Sequence, residues 1–380
     1  MQITKFAIPE VIFGNGSITY LASCAQRLGG KRVMLVSDKG LEKSGWVKII
    51  INLLNAANLD CVYFDGLTSN PRSSQIQQGA ELYLKNNADV IIGLGGGSPI
   101  DASKGIATIV SNGGNIHDYE GANRISRPLP PMILIPTTAG SGSDVSQYAI
   151  ITDKKRKVKM AIISRSLVPN ISIIDPDLLI TKPRGLILAS AVDALAHAIE
   201  SYVSRLASPF TESQALTAIR LIAGNIKPAA NSRDPEALKN LSIASTAAGM
   251  SFSNAGLGVG HSLAHSLGGR YDVTHGLTLP ILLPAVVRFN KPCAERKMEN
   301  IARTINESCP APVRQKKRNL SQILQSMFEE LGIPMRLREI VPDNDQMDEI
   351  CRLAARDACT VTNPRETDCE DLLTICRESW

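Results

Sequence analysis

Hydrophobic and polar positions follow two different rhythms along this chain. Through about residue 180, short apolar runs recur, each closed by glycine, proline or an acidic residue. They are "RVMLVSD" (32–38), "LDCVYFDG" (59–66), "ADVIIGLGGG" (88–97), "PMILIPTTAGSGS" (131–143) and "NISIIDPDLL" (170–179). Short unbroken apolar runs of this kind read as strands buried on both faces. Helix-periodic stretches such as "SPIDASKGIATIVS" (98–111) lie between them, and strands alternating with helices predict a mostly parallel sheet. Beyond residue 182 the strand signals stop. "LILASAVDALAHAIESYVSRLA", "TESQALTAIRLIAGNIKPAA" and "LKNLSIASTAAGMSFSNAG" are long, rich in alanine and leucine, and helix-periodic. The pattern predicts a Rossmann-like α/β domain over 1–182 and an all-helical domain over 183–380. "TKPRG" (181–185) marks the connection and "CTVTNPRETD" (359–368) a polar break.

Composition narrows the function classes. Apolar residues make up 44% and charged residues 20%, as in an ordinary globular protein, and the net charge of +5 is mild. Its one dense run, "KKRKVK" (154–159), reads as a solvated loop, and no aromatic residues interleave it to form a base-stacking surface. The first residues lack a basic region followed by an apolar one, and no apolar run reaches the roughly 18 residues of a membrane span. The eight cysteines are scattered without a CxxC pair, which argues for reduced thiols and against a cysteine-bound zinc. These features predict a cytoplasmic protein with neither a nucleic-acid nor a membrane partner.

Two polar turns follow buried strands. "GLGGGSPID" (93–101) opens a helix, and its glycines let the backbone approach a ligand while the helix N-terminus offers N–H groups to a phosphate. Ser98 is expected to cap that helix, with Pro99 at its first position. "TTAGSGSD" (137–144) is the second such turn. Two glycine-bearing turns at strand C-termini predict a nucleotide crevice. Asp38 ends an early strand, where a carboxylate serves either as a turn residue before Lys39-Gly40 or as a partner of a ribose 2′-hydroxyl that repels a 2′-phosphate; the second reading favours NAD over NADP.

Three of the five histidines crowd into "GVGHSLAHSLGGRYDVTHG" (258–276). Asp193 and His197 are four residues apart on a helical stretch and share a face, as do His261 and His265. "GG" at 268–269 is expected to end the second helix, with His275 after the turn. A carboxylate and imidazoles brought from separate segments suit a divalent transition metal; a proton relay and chance are the other readings of the cluster.

The chain resembles the iron-containing alcohol dehydrogenases. "GGGSPIDASKGIA", "PTTAGSGSDVS", "DALAHAIESYVS", "GHSLAHSLGGRYDVTHG" and "DACTVTNPR" occur in that family's order. The resemblance implies a dinucleotide-binding domain followed by a helical metal-binding domain. It implies Asp193, His197, His261 and His275 as ligands of Fe²⁺, with Zn²⁺ compatible with the same donors, and His265 as a non-ligand catalytic histidine. It places NAD(H) against Gly95, Gly96, Gly97, Ser98, Asp101, Thr137, Thr138 and Lys159. The implied reaction is hydride transfer between nicotinamide and a small alcohol or aldehyde, in a homodimer or larger homo-oligomer.

The substrate is approached through Ser146, Gln147, Tyr148, Phe252 and Cys359, which match the family's substrate region, and through one departure. The family's "GGFYDxPHG" is "GGRYDVTHG" here, so Arg270 replaces an aromatic residue and Thr274 a proline. A guanidinium near the site would hold an anionic tail. The alternative is a surface arginine pointing away from the cleft, so the expected substrate is a short aldehyde, with sulfoacetaldehyde, phosphonoacetaldehyde or succinate semialdehyde as the candidates if its tail is anionic. The alternatives are neutral short alcohols or diols (1,3-propanediol, lactaldehyde, methanol or ethanol), or a catalytically silent metal- and nucleotide-binding regulator.

Overall fold

The computed structural model describes residues 5–309 and 318–380. The chain forms two compact units. One is Ala7–Lys182; the other is the described part of Pro183–Trp380 together with Lys5 and Phe6.

The Ala7–Lys182 unit is built on a six-stranded sheet. Its spatial order is Glu10–Phe13, Ile171–Ile174, Met132–Pro136, Val90–Gly95, Arg32–Val36 and Asp60–Phe64. Every neighbouring pair is parallel. The inner strands Val90–Gly95 and Met132–Pro136 are apolar along their length because both faces are covered, whereas Glu10, Arg32 and Asp60 stand at strand ends. Val33 and Leu35 point into one cluster with Ile50, Leu54 and Ile92, whereas Met34 and Val36 point into another with Ile76, Ile91 and Ile106. Each of the five apolar runs named above contains one of these strands; Glu10–Phe13 is the sixth.

A second, three-stranded sheet is not foreseen by the pattern reading. Tyr148–Asp153 and Val158–Ile163 form an antiparallel hairpin, and Val158–Ile163 also pairs with Gly121–Ala122. The basic run supplies the hairpin's turn, with Lys157 in the left-handed region at φ 55°. Only its first four residues are loop, since Val158 and Lys159 already lie in the strand.

The second unit is helical throughout its regular structure. Arg184–Val203, Pro209–Ser232 and Pro235–Ala255 pack together through buried small residues, among them Ala191, Ala194, Ala198, Ala215, Ala218, Ala244 and Ala248. Val259–Tyr271 packs with the first part of His275–Ser308 and with Met347–Ala354. Contrary to the composition reading, one helix, Arg184–Val203, is long and apolar enough to cross a membrane, but most of it is buried inside this unit.

Candidate active site

The Arg184–Val203 helix carries Asp193, His197 and Glu200 at positions i, i+4 and i+7, one face of a 3.6-residue repeat. The Val259–Tyr271 helix carries His261 and His265 one turn apart, and His275 is the first residue of the helix that follows. Gly276 lets that helix start here. A β-carbon on it would fall 2.4 Å from the Ala189 carbonyl oxygen, so any other residue would push His275 away from the Arg184–Val203 helix.

Candidate donor atoms of Asp193, His197 and His261 all lie within 4.8 Å of one another. His261 Nε2 stands 3.9 Å from Asp193 Oδ1. The His197 ring stacks on Phe252 and on His261, each at 4.4 Å between centroids. The His275 ring is nearly perpendicular to that of His261 at 6.2 Å, and 5.1 Å from that of His265. Two imidazoles that share an ion at about 2.1 Å hold their centroids no more than roughly 6.5 Å apart. The His261–His275 separation falls inside that range, as does His261–His265 at 6.4 Å, and among the described residues the close donor set is Asp193, His197 and His261 without His275.

Glu200 organises the approach. Its carboxylate is buried and accepts hydrogen bonds from the backbone N–H groups of Gly260 (2.7 Å) and Gly258 (3.0 Å), capping the N-terminus of the Val259–Tyr271 helix. Oε2 also meets His261 Nδ1 at 2.6 Å. Gly260 permits this contact, since a β-carbon there would lie 2.7 Å from Glu200 Oε1. With Nδ1 engaged, His261 presents Nε2, a buried nitrogen with no hydrogen-bond partner. Leaving such an atom unsatisfied is costly, and buried polar atoms of this kind call for an explanation. Burial opposes protonation of His261, yet the carboxylates of Glu200, Asp193 and Asp357 outweigh it and lift its pKa above the ordinary value. Convergent carboxylate and imidazole donors, with the local charge negative, fit a divalent cation such as iron or zinc.

A second cluster adjoins the first. His265 Nδ1 pairs with Asp357 Oδ2 at 2.8 Å, and Asp357 Oδ1 accepts the Cys359 backbone N–H at 2.8 Å. Burial works against ionised Asp357, but His265 and the donors from Cys359 hold its pKa below the usual carboxylate value. Cys359 itself is buried, and burial together with the Asp357 charge raises its thiol well above the ordinary range.

Arg270 does not support the anionic-tail expectation. It occupies the last turn of its helix, where Nε bonds to Gln346 Oε1 and the guanidinium stands 3.9 Å from Glu349. Its charge is thus engaged by the segment that starts the Met347–Ala354 helix. The "GG" pair does not end its helix either. The helix continues to Tyr271 and stops at Asp272, which adopts the left-handed conformation at φ 56°.

In the Ala7–Lys182 unit, the two glycine-bearing turns follow neighbouring parallel strands and touch. The Thr137 N–H donates to Gly95 O at 2.9 Å, and the backbone at Gly96 and Gly97 lies against Thr138 and Ser141. The helix begins at Gly97 with Gly96 as its N-cap, two residues earlier than expected. Ser98 is not the cap; its Oγ accepts the Asn70 N–H, and Asn70 Oδ1 accepts from Lys159 Nζ at 2.9 Å. A helix N-terminus, a serine and a lysine therefore share one corner, an arrangement suited to phosphate. Asp38 caps the short Lys39–Lys43 helix through Oδ1, which accepts the N–H groups of Gly40 and Leu41.

Asp101 and Ser146 belong to a buried brace instead of an open face. Asp101 Oδ2 accepts the Ile150 N–H, and burial raises its pKa to about 6. Lys104 is fully buried; its Nζ donates to Ser146 O, Ser146 Oγ and Tyr148 O, and burial lowers its pKa to about 8. The Ser146 hydroxyl is therefore occupied within the protein. Tyr148 opens the hairpin and is half-buried.

Sequence reasoning missed Glu200 and Asp357. Glu200 was findable, as a third polar residue on the face of Asp193 and His197. Asp357 lies 92 residues from His265 with no periodic link to it.

Comparison with known proteins identifies the family. Residues 9–176 match the family model of iron-containing alcohol dehydrogenase, and residues 187–380 match the C-terminal model of the same family. A 1,3-propanediol dehydrogenase of Citrobacter freundii is 36% identical over 100% of this chain and 99% of its own length. An NAD-dependent methanol dehydrogenase of Bacillus methanolicus is 33% identical over 99% of this chain and all of its own. The crystal structure of a 1,3-propanediol oxidoreductase superposes with a TM-score of 0.94 at 34% identity, each chain fully covered. A sulfoacetaldehyde reductase of Bifidobacterium kashiwanohense, in complex with NAD⁺, gives 0.86 at 25% identity over 100% of this chain and 99% of its own. The chain belongs to the iron-containing alcohol dehydrogenase family of oxidoreductases.

Proposed function

We propose that this chain is an NAD(H)-linked dehydrogenase and aldehyde reductase for short neutral alcohols or diols, using a divalent metal, iron or zinc, held by Asp193, His197, His261 and His275. The observation that carries the reading is the buried Nε2 of His261, oriented by Glu200 and facing Asp193. When bound, the metal supplies Lewis acidity at the substrate oxygen and the nicotinamide accepts or donates the hydride. The chain's own contributions are distinct. Glu200 and the stacked Phe252 and His197 hold the donors in register. His265, one turn beyond His261, exchanges the hydroxyl proton. Gly96, Gly97, Ser98 and Lys159 hold the dinucleotide phosphates, and Asp38 holds the ribose.

The neutral-substrate reading is favoured over the anionic one because Arg270 is engaged by Gln346 and Glu349, and because the relatives with higher identity are named for neutral diols and alcohols. Purified enzyme reconstituted with Fe²⁺ or Zn²⁺ should oxidise NADH with propanal, 3-hydroxypropanal or lactaldehyde far faster than with sulfoacetaldehyde or succinate semialdehyde. Arg270→Phe should change KM for either class less than threefold. A tenfold rise in KM confined to the anionic aldehydes would restore the anionic-tail reading.

The cofactor preference has its own test. Asp38→Gly should narrow the ratio of NADH to NADPH activity, because a carboxylate that repels the 2′-phosphate is gone. Glycine is a tolerated N-cap, so the Lys39–Lys43 helix should lose only a few tenths of a kcal/mol. Equal use of both cofactors by the unaltered enzyme would remove Asp38 from this role.

A further inference from the structure

We propose that Asp357 is a positioning residue that fixes which ring nitrogen of His265 carries hydrogen, so that Nε2 is presented as a bare proton acceptor for alcohol oxidation. The inference rests on the proton-exchange role given to His265 above.

The geometry leaves little freedom. Asp357 sits in the loop after the Met347–Ala354 helix, anchored by its N–H to Ala354 O and by its carbonyl to the Thr360 N–H. Oδ1 takes the Cys359 N–H, so the carboxylate cannot swing, and Oδ2 faces His265 Nδ1 at 2.8 Å. An ionised carboxylate only accepts hydrogen bonds, and the low pKa of Asp357 keeps it ionised. The hydrogen must therefore lie on Nδ1 of His265. Among the described residues, no protein group hydrogen-bonds His265 Nε2. In oxidation, the alcohol O–H breaks as Nε2 takes the proton while the carbinol hydride goes to NAD⁺; in reduction both return.

Asp357→Asn separates this role from loop bracing. The amide oxygen can keep the Cys359 N–H, and the amide NH₂ then donates to Nδ1. That arrangement satisfies every hydrogen bond around the residue, provided the imidazole moves its hydrogen to Nε2. The variant should therefore fold, but with His265 in the wrong tautomer. The analogous exchange in serine-protease triads lowers kcat by about 10⁴.

The chain has five histidines, few enough for direct reading of tautomers by two-bond ¹H–¹⁵N correlation in Zn²⁺-loaded, ¹⁵N-histidine-labelled protein. His265→Asn supplies the assignment. The expected result is hydrogen on Nδ1 in the unaltered enzyme and on Nε2 in Asp357→Asn. The variant should also show kcat reduced at least 100-fold, with KM and bound zinc within twofold, and Asp357→Glu should recover part of the rate. An Nε2–H tautomer in the unaltered enzyme overturns the proposal even if no variant folds. So does an unchanged kcat in Asp357→Asn, or a loss shared between kcat, KM and zinc content. The tautomer is read without turnover, so an enzyme inactive on every aldehyde but with Nδ1–H at His265 would count against the proposed function alone.

Discussion

His261→Ala is expected to lower kcat about 1,000-fold and to leave the purified protein with little bound metal. His261 is the donor whose geometry is most tightly set, with Nδ1 fixed by Glu200 and Nε2 directed at Asp193. A Lewis acid at the reacting oxygen is worth several kcal/mol, and each 1.4 kcal/mol is about a factor of ten in rate, which gives the magnitude. Metal content by mass spectrometry and kcat with a short neutral aldehyde would both be measured. The same residue sets a pH dependence. A proton and a cation compete for Nε2, and the surrounding carboxylates raise the His261 pKa above 6.5. As pH falls through that raised value, the proton increasingly wins, so metal affinity should begin to drop at a pH above the ordinary histidine range. In His261→Ala that segment of the pH profile should flatten. A variant that keeps its metal and its rate would remove His261 from the ligand set.

The legible parts of this molecule are those written in local periodicity. Five strands appear as apolar runs because both sheet faces are covered, so no polar alternation interrupts them. The hairpin is hidden in the sequence for the opposite reason. Tyr148–Asp153 alternates half-buried and buried positions, a one-faced strand, and its partner begins inside a run of lysines and arginines that reads as loop. Helix ends are hard to place from sequence where other segments take up the capping groups. Ser98 looks like a cap, yet its hydroxyl serves Asn70. Glycines 268 and 269 look like a stop, yet the turn falls at Asp272. In the candidate site, the i and i+4 spacings of Asp193 with His197 and of His261 with His265 are visible in sequence, whereas their convergence is not. The direction of Arg270 is likewise absent from sequence, because it depends on Gln346 and Glu349, which arrive from a distant helix.

Glu200→Ala tests how far one buried carboxylate unites the fold with the site. The residue accepts from Gly258 and Gly260 at a helix N-terminus and from His261 Nδ1 within the same pocket. Alanine leaves these donors buried and unmet, and each unsatisfied group costs about 1–3 kcal/mol. Chelator-treated protein should therefore lose roughly 3 kcal/mol or more of unfolding free energy in urea, since at least two strong hydrogen bonds disappear together. Released from Glu200, His261 is free to turn or to change tautomer, and loss of an outer-shell partner of this kind commonly weakens metal binding 10- to 100-fold. Zinc affinity, measured by competition with a chromophoric chelator, should fall within that range while Asp193, His197 and His275 remain in place. Because binding only to the folded state adds stability in proportion to the logarithm of ligand over Kd, the variant should also gain less stability from a given zinc concentration than the unaltered protein. Glu200→Gln keeps one acceptor oxygen and should fall between the two. If Glu200→Ala loses stability but binds zinc as tightly as before, Glu200 is only a helix cap, and the orientation of His261 must come from its stacking on His197.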